Sequence, residues 1–223
     1  MTKIFLIPGL GADSRVYKNL NFDGYDVVYI NWLEPVKTDT LSSYAQKLIY
    51  QYNITEHSIV VGNSLGGMIA VEIAKQVSLD KVILISSIKT IDEAPGYFSF
   101  FRNVPVYKII PGKLFTSMDF LAELVFGEMA KEDRWLFKDM LKKSSTSFLK
   151  WAMHAILQWD NKIVPERIYH ITGDKDLVFS YKKIKDATIV KGGTHVMIFD
   201  KAKEINKILK SILENETPPI ILS

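Results

Sequence analysis

Ser64, Asp176 and His195 are the three side chains whose types and surroundings could together activate a nucleophile. A serine hydroxyl attacks a carbonyl at neutral pH only if a base takes its proton, and a histidine base needs a carboxylate to hold its tautomer. Ser64 stands in Gly62-Asn63-Ser64-Leu65-Gly66, a Gly-x-Ser-x-Gly pattern. In such an elbow the serine sits on a strained turn that lifts its hydroxyl above a sheet, and the flanking glycines avoid collisions that a Cβ would make. The five residues alone are a weak signal, since an ordinary strand-to-helix turn can carry them. Their flanks strengthen it. Ile59-Val60-Val61 is an unbroken β-branched run of the kind found in parallel strands covered on both faces, and from Met68 onward apolar residues recur at helical spacing.

The sequence offers four histidines. His57 precedes the strand leading into the elbow, at the wrong end of a sheet, His170 lies inside a later strand, and His154 sits on a helix of an insertion. Only His195, in Gly192-Gly193-Thr194-His195, follows the C-terminal end of a strand, on the rim where a parallel α/β sheet builds its site. The carboxylate belongs on the loop Gly173-Asp174-Lys175-Asp176. Asp176 is farther out on the turn and can fold back toward His195, whereas Asp174 is better placed to bond local backbone amides, which favours Asp176 and leaves Asp174 as its competitor. An oxyanion formed at Ser64 would need donors. The backbone amides of Leu65, just after the serine, and Leu10, in Pro8-Gly9-Leu10-Gly11, are the candidates, and one such donor is worth about 3 kcal/mol. The Pro8–Gly11 segment would also serve as a plain tight turn.

These groups meet only if the chain builds a parallel sheet. Strands are expected at Ile4 to Ile7, about Asp26 to Ile30, around Ile59, Lys81 to Ser87, Arg167 to Gly173 and about Ala187 to Val190. Helical stretches alternate with them, after an Asp13 cap through Leu20, over Leu41 to Tyr52, after Ser64, and over Lys201 to Leu213. Such alternation implies βαβ units. It stops between residues 88 and 162, which divides the chain into a core of residues 1–87 and 163–223 and an inserted segment. The insertion has no convincing strand and holds half of the aromatic residues in a third of the length, among them Tyr97, Phe98, Phe100, Phe101, Phe115, Phe120 and Phe126. Its clearest helix carries Phe148, Trp151, Ala152, Ala155, Ile156 and Trp159 on one face. Most of these residues are expected to form the insertion's own core, and several to wall an apolar pocket over Ser64 as a helical lid. The tail from Thr217 cannot continue the last helix past its two prolines.

A chain of 223 residues supports one sizeable core. Its 28 basic and 25 acidic residues leave a net charge of +3, which makes no electrostatic case for nucleic acid. The small cluster Lys182, Lys183 and Lys185 reads as a solvated face. With no cysteine there is no disulfide, thiolate metal site or cysteine nucleophile, and neither metal nor cofactor is expected. A core-like strand beginning at Ile4 leaves no room for a signal peptide, and no apolar run approaches membrane-spanning length, so the expectation is a cytoplasmic protein. Nothing in the sequence specifies an oligomeric state.

On Pro8-Gly9-Leu10-Gly11, Gly62-Asn-Ser-Leu-Gly66, Gly173-Asp-Lys-Asp176 and Gly193-Thr-His195, the chain resembles a small bacterial α/β-hydrolase-fold serine hydrolase of the esterase type. The resemblance spans Ile4 to about Leu213 and is weakest in the insertion. It implies an α/β-hydrolase fold, with a mainly parallel six-stranded sheet, helices on both faces and a helical lid. It also implies Ser64, Asp176 and His195 as catalytic triad, in the chain order of that fold, with Leu10 and Leu65 as oxyanion amides, and it supports Asp176 over Asp174. One departure stands out. Many relatives carry His-Gly in the first loop where this chain has Pro8-Gly9, although that histidine is not a triad member. A serine nucleophile argues against the dehalogenase and epoxide-hydrolase branches, which use aspartate. The expected substrate is a small or medium apolar ester, or a thioester. The alternatives are a binding module that keeps the fold with little turnover, and an interaction protein whose aromatic insertion docks a partner.

Overall fold

The computed structural model describes residues 2–104 and 129–214. Phe115, Phe120 and Phe126 of the insertion, and the tail from Thr217, lie outside the described residues. Six apolar segments pair into one sheet: β1 (Lys3–Ile7), β2 (Asp26–Tyr29), β3 (Ile59–Asn63), β4 (Lys81–Ile85), β5 (Ile168–Gly173) and β6 (Thr188–Val190). Their order is β2-β1-β3-β4-β5-β6 and every neighbouring pair is parallel. Strand β1 therefore has β2 on one side and β3 on the other, with Leu6 opposite both Tyr29 and Val61. Chain direction across the sheet reverses there, which opens a crevice beyond the carboxyl ends of β1 and β3.

Because side chains alternate along a strand, each strand feeds two cores. Phe5, Ile7, Val60, Val82 and Leu84 face α1 (Leu41–Tyr52) and α2 (Leu65–Ala74). Ile4, Leu6, Val61, Ile83 and Ile85 join the other core, with Tyr17 and residues of the C-terminal helical segments. Helix α1 begins with Thr40 and Ser43 capping each other's backbone amides. The segment after Asp13 is shorter than the sequence suggested. Asp13 caps it by accepting from the Arg15 amide, but it is a single 3-10 turn over Ser14–Tyr17. Its Tyr17 hydroxyl donates to the Ile7 carbonyl at 2.6 Å, which fixes the turn under the end of β1.

The insertion contains no strand among the described residues and contributes α3 (Tyr97–Asn103), α4 (Lys131–Lys143) and α5 (Thr146–Gln158). Helix α5 belongs to the core on the α1 face. The rings of Trp151 and Tyr44 lie 4.4 Å apart, those of Phe148 and Trp32 lie 4.9 Å apart, and the Trp151 indole donates to the Asp39 carbonyl at 2.8 Å. Trp159, at the C-cap and not within the helix, donates to buried Glu72 of α2 at 2.8 Å. The periodicity of α5 revealed an apolar stripe but not its partner, which is the main sheet core and not a separate insertion core. Helix α4 lies against the loop after β1. Lys18 and Asp133 pair at 2.6 Å, Arg15 and Asp139 at 2.7 Å, and Leu141 fills the space where Gly11 lacks a side chain. Two helices end the described residues, the short α6 (Met197–Asp200) and α7 (Ala202–Glu214), the latter burying Ile205, Leu209, Ile212 and Leu213 along one face.

Candidate active site

Strand β3 ends at Asn63 and α2 starts at Leu65, so Ser64 alone makes the turn between them. Its backbone has φ 51° and ψ −117°, a conformation that costs about 1–3 kcal/mol and persists only where the surroundings enforce it. The enforcement is visible. Ser64 N–H donates to the Ile85 carbonyl of β4 at 2.9 Å, and the Ser64 carbonyl accepts from Gly67 N–H at 2.9 Å and from the Ser87 hydroxyl at 2.7 Å. The glycines are dictated by close approach. A Cβ on Gly62 would lie 2.2 Å from the Gly66 carbonyl oxygen, and one on Gly66 would lie 2.1 Å from that of Ile7, so any side chain would force the elbow open. The helix begins three residues before Met68, earlier than its apolar pattern indicated. The Leu65 and Gly66 amides at its start, with the positive end of the helix dipole, therefore sit at Ser64.

His195 follows β6 and presents Nε2 at 2.9 Å from Ser64 Oγ. Its Nδ1 lies 3.0 Å from Asp176 Oδ2. The other carboxylate oxygen, Oδ1, accepts from the amides of Val178 and Phe179, both at 2.8 Å. Burial pushes the Asp176 carboxyl up, but the charge and hydrogen bond of His195 and the two amides outweigh it and hold the group below the usual carboxylate range. Asp176 is thus an ionised acceptor at neutral pH, fixed at both oxygens. Asp174 turns elsewhere, with Oδ1 taking the Gly192 amide at 2.6 Å, and so ties the β5 loop to the loop that carries His195. The remaining histidines stay apart from Ser64. His57 pairs with Asp80 at 3.1 Å at the opposite end of the sheet, His170 Nε2 donates to the Ser87 carbonyl at 3.0 Å, and His154 is on α5.

The loop carrying Leu10 lies against the elbow. A Cβ on Gly9 would stand 3.3 Å from Ser64 Cβ and 3.1 Å from Asn63 Oδ1. Among the described residues, neither the Leu10 nor the Leu65 amide donates to a backbone carbonyl outside its own element. Two neighbours escaped the sequence reading. Buried Phe179 sets its ring edge-on to His195 with centroids 5.4 Å apart, and Phe98 of α3 packs behind it at 6.2 Å. Ser87 donates its hydroxyl hydrogen bond to the Ser64 carbonyl. Its only sequence signal was its position at the end of the strand beside β3. Tyr97 of α3 donates to the Val178 carbonyl at 3.0 Å, and burial together with the Asp176 charge pushes its phenol up to about 12.

Residues 4–208 match the model of the alpha/beta hydrolase family. The chain belongs to that family. As a member it is a hydrolase, and the solved structures that resemble it share its architecture at low identity. A carboxylesterase from Nitrososphaera gargenis superposes with a TM-score of 0.74 at 17% identity, covering 95% of this chain and 89% of the other. An esterase from Exiguobacterium antarcticum gives 0.75 at 17% identity, covering 96% and 92%. A bromoperoxidase from Bacillus anthracis gives 0.71 at 17% identity with the same coverage. No curated protein matches the sequence. Among the described residues, this hydrolase has no cluster of three or more metal-ligating side chains and no helix long and apolar enough to cross a membrane.

Proposed function

We propose that this α/β-hydrolase is a serine esterase that cleaves a small or medium apolar carboxylic ester, or the corresponding thioester, through an acyl-enzyme on Ser64. The observation that carries the reading is the unbroken path from Ser64 Oγ to His195 Nε2 at 2.9 Å and from His195 Nδ1 to Asp176 Oδ2 at 3.0 Å. His195 takes the Ser64 proton as Oγ bonds to the substrate carbonyl carbon, and the ionised Asp176 stabilises the imidazolium and holds its orientation. The amides of Leu65 and Leu10 receive the oxyanion, aided by the N-terminus of α2. His195 then gives its proton to the departing alcohol or thiol, and the acyl group stays on Ser64. Water repeats the sequence, losing a proton to His195 and releasing the carboxylic acid and free Ser64.

The esterases among the solved relatives support ester substrates, and the aromatic residues of α3 beside Phe179 support an apolar acyl group. In this reading α3 and α4 of the insertion border an apolar acyl pocket at Ser64. Intact-mass analysis after treatment with a fluorophosphonate tests the chemistry. One adduct is expected on the wild type and none on Ser64→Ala. An unmodified wild type, or an adduct retained by the variant, would overturn the proposal.

A further inference from the structure

The Leu65 amide shares its peptide unit with the Ser64 carbonyl. The unit is planar and trans, so its C=O and N–H point in opposite directions. Whatever anchors the Ser64 oxygen behind the elbow therefore sets where the Leu65 N–H points in front of it. Three donors reach that oxygen: Gly67 N–H at 2.9 Å, Met68 N–H at 3.4 Å and the Ser87 hydroxyl at 2.7 Å. The first two belong to α2 and move with it. Ser87 is different, because it stands on the neighbouring strand end and ties the peptide to the sheet.

Several independent features hold Ser87 in that role. The preceding residue, Ser86, has φ 49°, a left-handed conformation uncommon for serine, and its amide donates to the Ile171 carbonyl at 3.0 Å. The backbone thus leaves the strand direction of β4 while staying bonded to β5. Ser87 is fully buried, and its carbonyl accepts from His170 Nε2 at 3.0 Å. Burial and the nearby Lys89 charge push His170 down to about 3, so it stays neutral and Nε2 is the nitrogen that carries the proton. Space for the hydroxyl comes from the second glycine of Gly66-Gly67. A Cβ on Gly67 would lie 2.4 Å from Ser87 Oγ.

We propose that Ser87 is a positioning residue, anchored by His170, that aims and polarises the Leu65 amide as an oxyanion donor. The proposal rests on the Ser64 acyl-enzyme reading. A hydroxyl donating to the carbonyl fixes the peptide plane and makes the N–H at its other end a stronger donor, as in any chain of hydrogen bonds. The benefit appears where negative charge develops, in the tetrahedral state, and not on the ground-state ester.

The test compares wild type with Ser87→Ala. The expected result is a fall in kcat of about tenfold, part of the loss that follows removal of a whole oxyanion donor, with KM within about twofold. Affinity for an alkyl trifluoromethyl ketone, which forms an oxyanion on Ser64, should fall in parallel, while affinity for the matching secondary alcohol should not. A merely structural serine would shift Tm or KM and leave the ratio of ketone to alcohol affinity unchanged, and a folded Ser87→Ala enzyme with that unchanged ratio would overturn the proposal. If Ser87→Ala does not fold, Ser87→Cys, close in shape and a much weaker donor, decides by the same ratio. Fluorophosphonate labelling of the wild type separates the two levels. Labelling with an unchanged ratio removes only the role of Ser87, whereas no labelling removes the Ser64 chemistry and the role of Ser87 with it.

Discussion

Asp176 meets His195 with one carboxylate oxygen only, Oδ2 at 3.0 Å from Nδ1, while its other oxygen is occupied by the amides of Val178 and Phe179 at 2.8 Å. The carboxylate is thus held by its own loop as well as by the imidazole. Asp174, two residues earlier, spends its oxygen on the Gly192 amide. Asp176→Asn should lower kcat by about 10⁴-fold, because an amide favours the wrong histidine tautomer. Asp174→Ala should keep activity within a few-fold and lose about 1 kcal/mol of stability, the net value of a hydrogen bond to backbone. Ester turnover and urea unfolding of both variants check this, and the reverse ranking would move the acid to Asp174.

The depressed Asp176 carboxyl also fixes a sign for pH. Its folded value lies below the unfolded value of about 3.9, so its contribution to stability is complete well above pH 4 and disappears as pH falls through the folded value. The stability gap between wild type and Asp176→Asn should therefore be present at about pH 5 and narrow on further acidification through the folded carboxyl value. Urea melts across that range would contradict the assignment if the gap widened toward low pH.

Trp159 tests what helix α5 is for. Its indole donates to Glu72, which is buried and also holds Lys75 at 2.9 Å, and Lys75 in turn reaches Asn161 at 2.9 Å. Trp159→Phe leaves a buried carboxylate short of a donor and should cost about 1–3 kcal/mol. Because this contact stitches the insertion to α2 away from Ser64, kcat/KM at a temperature where the variant is folded should change less than about twofold. A large change in kcat/KM with little change in Tm would instead make α5 part of a moving lid.

The proposed acyl pocket gives a further prediction. Phe179 packs beside His195 with Phe98 of α3 behind it, and Leu141 of α4 covers Gly11 in the loop of Leu10, so described parts of the insertion lie against neighbours of His195 and against the Leu10 loop. If the insertion closes over Ser64, kcat/KM should rise over short acyl chains by at most about 0.8 kcal/mol per buried methylene and then collapse where the pocket ends. A flat profile from acetyl to long chains would refute a closed roof. Hydrogen exchange on an apolar Ser64 adduct should protect α3 and α4 more than the N-terminal ends of the strands.

Local order is what the sequence by itself determined. The apolar runs at Ile4, Ile59 and Lys81 and the helical spacing after Leu41 specify strands and helices through contacts between near neighbours, and their alternation specifies a parallel sheet. Together with the family resemblance carried by the glycine signatures, that was enough to name the fold and to nominate Ser64, Asp176 and His195. The long-range partners were decided only by tertiary structure. Position on the turn favoured Asp176 over Asp174 as the partner of His195, but only the side-chain directions of the folded loop set Asp176 against His195 and Asp174 against the Gly192 amide. The stripe on α5 looked the same whether it met its own insertion or Tyr44 and Glu72, because periodicity reports that a face is apolar and not what covers it. Ser87 carried no motif at all. It acquires its meaning because β4 runs beside β3, a pairing that sets residues 23 apart in sequence within 2.7 Å of each other.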